Sequence, residues 1–507
     1  MRSAANILVI SDLHLGEDLT LAATPAISRH LQVLERQLIE FLRHYTRRRR
    51  NGLPWRLVIN GDMVDFLAMC LLPAQGRVDL RTDDIRHEEH VYGLDRRRQV
   101  ACAKMRAVVD RHRDVFVALA GFAAAGNTIE IICGNHDVEF HWPEVQETLR
   151  AAVTELWTSA PAHQGSVTAA QLRERIRFHP WFFHEPGVAW IEHGHQYDAC
   201  SSFDYGLEPV APSGGAIAVN VDAASVRYLS SQHDADVHAL AEWSFIGYAQ
   251  FAVGLGLRGL LRIARGYVSF VRSLLRAWRQ LSPHAPANLQ RKERHLMRLR
   301  TLSRQWKVDE RVLHKVDGLR KMPVVKQLGL LAGAAFLDRL LLAGLGTLGL
   351  VAAFIALPLL YALPVAALMF GLSRVTARTL ERRRVARPEI ALALVPHRIL
   401  DHVDARMVVF GHTHEPVAYP MGDGRTYFNT GSWIPAGKPG ALRAFTHLVI
   451  SRNDKGEAEA ALCQWRDGAS RAFTPGWVPP GHGTRPKTAT PVDGVPATEA
   501  PIPAEAA

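Results

Sequence analysis

Cysteine is scarce in this chain of 507 residues: Cys70, Cys102, Cys133, Cys200 and Cys463 are widely spread and form no CxxC pair. That excludes a disulfide framework and a zinc ribbon, and points to a reducing compartment. Charge is also modest, at 21% of residues against 48% hydrophobic, which fits neither wholesale disorder nor a polytopic transporter. Acidic residues fall short of basic ones, 49 against 60, leaving a net charge of +11. The opening MRSAANILVISDLHLG has an apolar stretch too short for an export signal and no small-residue cleavage site, so it reads as a first β-strand. Length alone suggests about three structural units.

What is present is a set of short apolar runs that all stop in polar residues. Ile7–Ile10, Leu57–Ile59, Ile129–Ile132, Val188–Ile191 and Met407–Phe410 have the composition of buried strands. In open α/β sheets ligands bind beyond the carboxyl ends of strands. The residues at those ends are Asp12-x-His14, Gly61-Asp62-x-x-Asp65, Gly134-Asn135-His136-Asp137, His193-Gly-His195 and Gly411-His412-Thr-His414. These are oxygen and nitrogen donors without thiols, suited to Mn²⁺, Fe²⁺ or Zn²⁺. They outnumber the needs of one ion, and a shared carboxylate would let them serve two. Helical periodicity is expected over Ile27–Tyr45 and Leu94–Ala124, as covering layers. The loop from Leu71 to Gly93 is a candidate cap, with His87 and His90 read as exposed bystanders.

The ordered series DxH, GDxxD, GNHD, H and GHxH resembles that of the calcineurin-like metallophosphoesterase superfamily, over roughly Asn6 to Cys200 and Ala405 to Trp433. The resemblance implies an α/β fold, a metallophosphoesterase β-sandwich flanked by helices, interrupted here by an α-helical membrane-associated insertion. It implies two divalent metal ions, manganese first, with iron or zinc as alternatives. Asp12, His14, Asp62 and His414 would hold one, and Asp62, Asn135, His193 and His412 the other. A bridging hydroxide would attack phosphorus, while His136 stabilises charge or protonates the leaving oxygen and Asp137 orients its ring. The DLHL opening, HG, GHTH and a closing N-x-G-x-W (Asn429–Trp433) are similar to those of the UDP-2,3-diacylglucosamine pyrophosphatases, with His136 standing where those enzymes carry arginine.

Peripheral residues keep more than one reading each. Asp65 either caps the helix after the second strand or supports the metal site from outside. His195 is a substrate contact, an outer-shell donor or a plain loop histidine. Arg96, Arg97 and Arg98 are either substrate phosphate contacts or a solvated charge run.

Between residues 241 and 388 the composition changes. Arg258, Arg262, Arg265, Arg272, Arg276 and Arg279 fall on one helical stripe. Their neighbourhood fits anionic headgroups better than an ordinary surface helix. From Leu340 through Ser373 no residue is charged, a run longer than one membrane crossing and shorter than two with a turn. Basic flanks (Lys315, Arg320, Lys321 and Lys326 before, Arg374 to Arg387 after) favour the cytoplasm for both ends.

The expected organisation is therefore a phosphoesterase domain in two parts, 1–240 and 389–470, around a membrane-associated helical insertion, 241–388, with a disordered tail rich in proline, alanine and threonine over 471–507. The expected activity is hydrolysis of a phosphodiester or pyrophosphate bond, in a lipid-linked or nucleotide substrate, at the cytoplasmic face of the inner membrane. The alternative is a phosphomonoesterase or protein phosphatase merely localised by its membrane segment. Membrane lipids are the expected partners, and nucleic acid is disfavoured because the positive charge clusters around the apolar insert.

Overall fold

All five apolar runs form strands in the computed structural model, divided between two sheets. The structure describes residues 4–20, 25–71, 80, 85–160, 167–230, 245–281, 285–335, 337–382, 388–434, 444–453 and 456–475. The expected tail from residue 476 onward, and most of the candidate cap loop between Leu71 and Gly93, lie outside the described residues.

The first sheet has seven strands in the order β12-β11-β10-β1-β2-β3-β4. Its parallel half is β1 (Asn6–Ile10), β2 (Trp55–Asn60), β3 (Thr128–Ile132) and β4 (Ile176–His179). Its antiparallel half is β10 (Thr446–Arg452), β11 (Ala458–Arg466) and β12 (Ala469–Ala472). The second sheet runs β5-β6-β7-β9-β8, from β5 (Phe182–Glu185), β6 (Ala189–Glu192), β7 (Met407–Phe410), β8 (Val417–Gly422) and β9 (Arg425–Asn429). Both sheets are mixed, and the fold class is α/β. Strands β6, β7 and β9 are parallel.

The alternation of side chains explains the layering. On β1 to β3, Leu8, Ile10, Leu57, Ile59, Ile129 and Ile131 join a core formed with the helices. Ile7, Val9 and Val58 join a second core with Phe183, Trp190, Val408 and Phe428 of the other sheet. Strands buried on both faces need unbroken apolar runs, which is why these read so clearly. Each fully buried Leu or Ile stabilises the fold by roughly 1.5–3 kcal/mol relative to exposure.

Fourteen α-helices occur among the described residues: α1 (Pro25–Arg47), α2 (Glu89–Tyr92), α3 (Arg98–Arg111), α4 (Arg113–Ala124), α5 (Pro143–Thr158), α6 (Ala169–Glu174), α7 (Val221–Tyr228), α8 (Phe245–Gln280), α9 (Pro286–Trp306), α10 (Glu310–Asp317), α11 (Leu328–Ala334), α12 (Leu337–Ala356), α13 (Leu359–Arg382) and α14 (Pro388–Leu400). The single helix expected over Leu94–Ala124 is corrected to α3 and α4, broken at His112 (φ −111°, ψ 34°). The break lets His112 Nε2 accept from the Gly16 N–H at 2.9 Å, while its Nδ1 meets Glu35 at 2.5 Å.

Within the segment 241–388, α9 and α10 are built into the body. Leu299, Leu302, Trp306, Leu313 and Val316 bury themselves in the core shared by the two sheets. By contrast α12 and α13 form an antiparallel hairpin with Leu345, Ile355, Leu360 and Phe370 exposed. One described helix, over Leu359–Thr376, is long and apolar enough to cross a membrane, and 6% of it is buried. All six arginines of the predicted stripe on α8 are exposed.

Candidate metal centre

Each ligand motif is the first turn after a strand. Asp12 and His14 follow β1, Asp62 follows β2, Asn135 to Asp137 follow β3, His193 and His195 follow β6, and His412 and His414 follow β7. Ten non-glycine residues among those described have positive φ, and five of them are Asp12, His14, Asp62, His412 and His414. A left-handed backbone costs a non-glycine residue about 1 kcal/mol or more, so its concentration here marks a constrained functional site. The turns are held by backbone bonds: Leu13 and His14 N–H both donate to Asp62 O at 2.9 Å, and Gly411 N–H to His193 O at 3.0 Å. Asn429, on the return strand β9, donates to Gly411 O at 2.7 Å and to Thr413 Oγ1 at 3.1 Å, fixing the last turn.

Two glycines are sterically required. A Cβ on Gly61 (φ 81°) would strike the His193 ring, and one on Gly134 would strike the Asp62 carboxylate.

The ligand atoms gather in three overlapping groups: Asp12, His14 and His414; His14, Asp62 and His136; and Asp62, His193 and His412. Asp12 Oδ1 lies 3.2 Å from His414 Nε2 and 4.0 Å from His14 Nε2, which is 3.8 Å from Asp62 Oδ2. His193 Nε2 is 3.2 Å from both Asp62 Oδ2 and Asn135 Oδ1, and His412 Nδ1 is 3.1 Å from Asn135 Oδ1. Donors that each sit ~2.0–2.2 Å from a common cation are separated by just such distances. Asp12 Oδ1 and His14 Nε2 are buried without a hydrogen-bond partner, an arrangement that costs free energy unless something occupies the space between them. Buried His and Asp clusters able to hold a metal ion are thus present, and their oxygen and nitrogen donors fit divalent cations.

The electrostatics agree. Burial would raise Asp62 and Asp12, but the surrounding histidines hold both below the usual carboxylate range, chiefly His193 for Asp62 and His414 for Asp12. Burial would lower His193 and His136, yet the neighbouring carboxylates prevail and push them up to about 9 and about 10. Without a cation, protons on these rings take its electrostatic place. The open side is at His414, whose side chain is 46% exposed, and at His136, at 21%.

Asp65 caps no helix, since residues 66–68 form only a turn, and it takes the other of its two readings, beside the ligand cluster. Its carboxylate oxygens meet His14 Nδ1 and His136 Nδ1, each at 2.9 Å, and Oδ1 also accepts from the Ala68 N–H at 2.7 Å. The expectation that Asp137 orients His136 is corrected. Asp137 accepts from Met63 N–H at 2.7 Å and Gly134 N–H at 2.6 Å, tying the turn after β2 to the turn after β3. Burial and the nearby Asp62 charge push its carboxyl up to about 7.

The arginines expected as substrate contacts are engaged elsewhere. Arg96 grips Glu139 at 2.5 and 3.0 Å, Arg97 meets Glu89 at 2.5 Å and Asp95 at 2.8 Å, and Arg98 meets Glu144 at 3.0 Å. The carboxylates that hold Arg96 and Arg98 are 43 to 46 residues away, and Arg96 Nη1 stays buried without a partner. His195 is brought to the site: its ring centroid is 5.5 Å from that of His193, and burial with the neighbouring His193 and His412 holds it well below the usual range.

Two acids beside the site carry no motif. Asp198 Oδ2 lies 3.2 Å from His412 Nε2 and orients that ring, while Ser201 donates to Asp198 at 3.3 Å and also to Asp222 on α7. Glu192, the last residue of β6, accepts from Trp181 Nε1 and Gln196 Nε2 at 2.5 Å and Tyr197 OH at 2.8 Å, and so anchors the loop that carries His193. A buried acid at a strand end beside His193 was the available signal for Glu192; Asp198 had none. In comparisons with known proteins, no family model matches the chain and no curated protein is a significant match.

Proposed function

We propose that this protein is a binuclear metal-dependent phosphoesterase of the calcineurin-like metallophosphoesterase type, hydrolysing a phosphodiester or pyrophosphate bond in a lipid-linked or nucleotide substrate. The observation that carries this reading is the convergence of seven ligand side chains from five strand ends into overlapping clusters around Asp62.

Asp12, His14, Asp62 and His414 would hold one ion and Asp62, Asn135, His193 and His412 the other. A pair of divalent ions supplies Lewis acidity toward phosphoryl oxygens and a water acidic enough to attack near neutral pH. The chain itself does the rest. His136 stands at the open side with its Nδ1 held by Asp65, which leaves its Nε2 to carry a proton. That proton is delivered to the leaving oxygen. Asp65 and Asp198 hold the rings of His14 and His412 in the orientation that presents their other nitrogens to the ions. The exposed apolar hairpin supports attachment to a membrane, and the basic flanks favour its cytoplasmic face.

Turnover of bis-p-nitrophenyl phosphate and of a nucleotide-diphosphate lipid by the detergent-solubilised protein with Mn²⁺ tests the assignment. Asp62→Ala is expected to lose both ions by elemental analysis and at least ~10³-fold in activity, since it removes the shared ligand. Undiminished turnover in that variant would refute it. Preference for p-nitrophenyl phosphate or a phosphopeptide would select the monoesterase alternative.

A further inference from the structure

The apolar hairpin has arms near the minimum for a crossing, and its turn decides what it does. From Leu340 to the turn at Leu357 there are 18 residues, and from Pro358 to Ser373 there are 16. At ~1.5 Å per residue these uncharged arms extend about 27 and 24 Å, the lower edge of what a ~30 Å hydrocarbon core requires. The turn itself is Leu357-Pro358-Leu359-Leu360, with Leu359 and Leu360 64% and 76% exposed. Such a turn has nothing to offer the polar headgroups of a far leaflet. Its backbone is suited to lipid: proline brings no N–H, and Pro358 O accepts from Tyr361 and Ala362 at 2.9 and 3.0 Å. The arms meet through small residues, where a Cβ on Gly346 would lie 3.6 Å from Ser373 Oγ and one on Gly349 would strike Met369. Close backbone approach of this kind is how helices associate where lipid removes the hydrophobic drive between them.

A second element lies at the hairpin's base. After the kink of α8 at Gly256 (φ 62°, ψ 179°), Leu257, Leu261, Ala264 and Val268 repeat at steps of four, three and four and are exposed, beside the exposed Arg258, Arg262 and Arg265. A helix with an uncovered apolar stripe next to a row of arginines is built for the plane of an anionic membrane surface. Tyr267 OH donates to Ala335 O at 2.6 Å, two residues before α12 begins, so this helix and the hairpin's base are joined. At the other end of the uncharged run, exposed Arg374 stacks on Phe370 at 5.8 Å, where a cation can reach headgroups.

We propose that α12 and α13 form a re-entrant hairpin that enters the bilayer from the side of the two-sheet body and ends within it, while the stretch of α8 from Leu257 to Val268 lies flat on the same lipid surface. The proposal rests on the membrane attachment put forward above and is independent of the chemistry at the metal centre. It makes the protein monotopic, with the site and all charged flanks on one side.

The test uses the full chain carrying Leu357→Cys, reconstituted body-outward in vesicles of phosphatidylethanolamine and phosphatidylglycerol. Thr376→Cys near the base is the control. A membrane-impermeant maleimide, outside or trapped inside, is expected to label L357C at least ~10-fold less than in detergent, while T376C is labelled from outside. Labelling of L357C from inside the vesicle shows a full crossing and overturns the re-entrant hairpin alone. Labelling of L357C from outside without detergent puts the hairpin in water or against a protein, and overturns membrane attachment with it.

Discussion

The two-sheet body and the α12–α13 hairpin are both rich in Leu, Val and Ile, yet they handle them oppositely. Val408, Trp190 and Leu8 are 0% exposed, whereas Ile355 is 81% and Leu345 67% exposed. In the body such side chains are packed against other protein side chains. In the hairpin the apolar side chains lack protein cover, so their environment must come from elsewhere. Hydrophobicity thus says that a residue avoids water, and only packing says what replaces it.

One substitution made in both places separates these regimes most sharply. Val408→Asp is expected to leave an unpaired charge between the sheets and lose soluble folded protein, with a loss of at least ~4 kcal/mol. Ile355→Asp should leave the melting temperature in detergent unchanged while lowering recovery with vesicles by about 100-fold, from the ~3 kcal/mol cost of a charge in lipid. Equal loss of folded protein in both variants would erase the distinction.

The body also contains histidines held neutral, and acid should find them. Burial pushes His447 down from an ordinary 6.5 to about 3, between Tyr45 and Ser470 and away from the metal centre. A lowered histidine means that below pH 6.5 the unfolded chain binds a proton the folded chain refuses. Stability is then full above 6.5 and falls as pH drops toward 3, by up to ~1.4 kcal/mol per pH unit for this group. Denaturant midpoints between pH 7 and 4.5 should fall less steeply in His447→Gln; an unchanged slope would remove His447 from the account.

At the rim, Asp65→Asn is expected to lower activity or metal affinity by ~10–100-fold, since it weakens the support of His14 and His136 together. Asp137→Asn, which keeps acceptor capacity toward only one of its two N–H donors, should act through stability and leave the pH profile of turnover in place. A pH profile moved by Asp137→Asn and not by Asp65→Asn would reverse their roles. The smallest effect belongs to α8: Arg262→Gln should weaken binding to anionic vesicles by ~1 kcal/mol, and the difference should vanish in high salt.

Much of the site was legible because its parts are local. A strand buried on both faces is an unbroken apolar run, and the turn that ends it carries its ligands within three residues, so Asp12, Asp62, Asn135, His193 and His412 could be located one motif at a time. The helix break at His112 was hidden, since its cause is a bond to Gly16, 96 residues distant. Asp198 was hidden too, because its partner His412 is 214 residues away and no spacing links them. The three arginines Arg96 to Arg98 misled for the same reason: a guanidinium has the same sequence signature whether it awaits phosphate or already holds Glu139.

The amino-acid sequence by itself determined the strands, the donor chemistry at their ends and the uncharged length of the hairpin, because each depends on neighbours within one element. Tertiary structure alone decided that the strands divide between two sheets, that Asp65 and not Asp137 steadies His136, and that the hairpin's apolar side chains stay bare. Those outcomes turn on which distant groups meet once the backbone closes, and pairing in space has no fixed spacing along a chain.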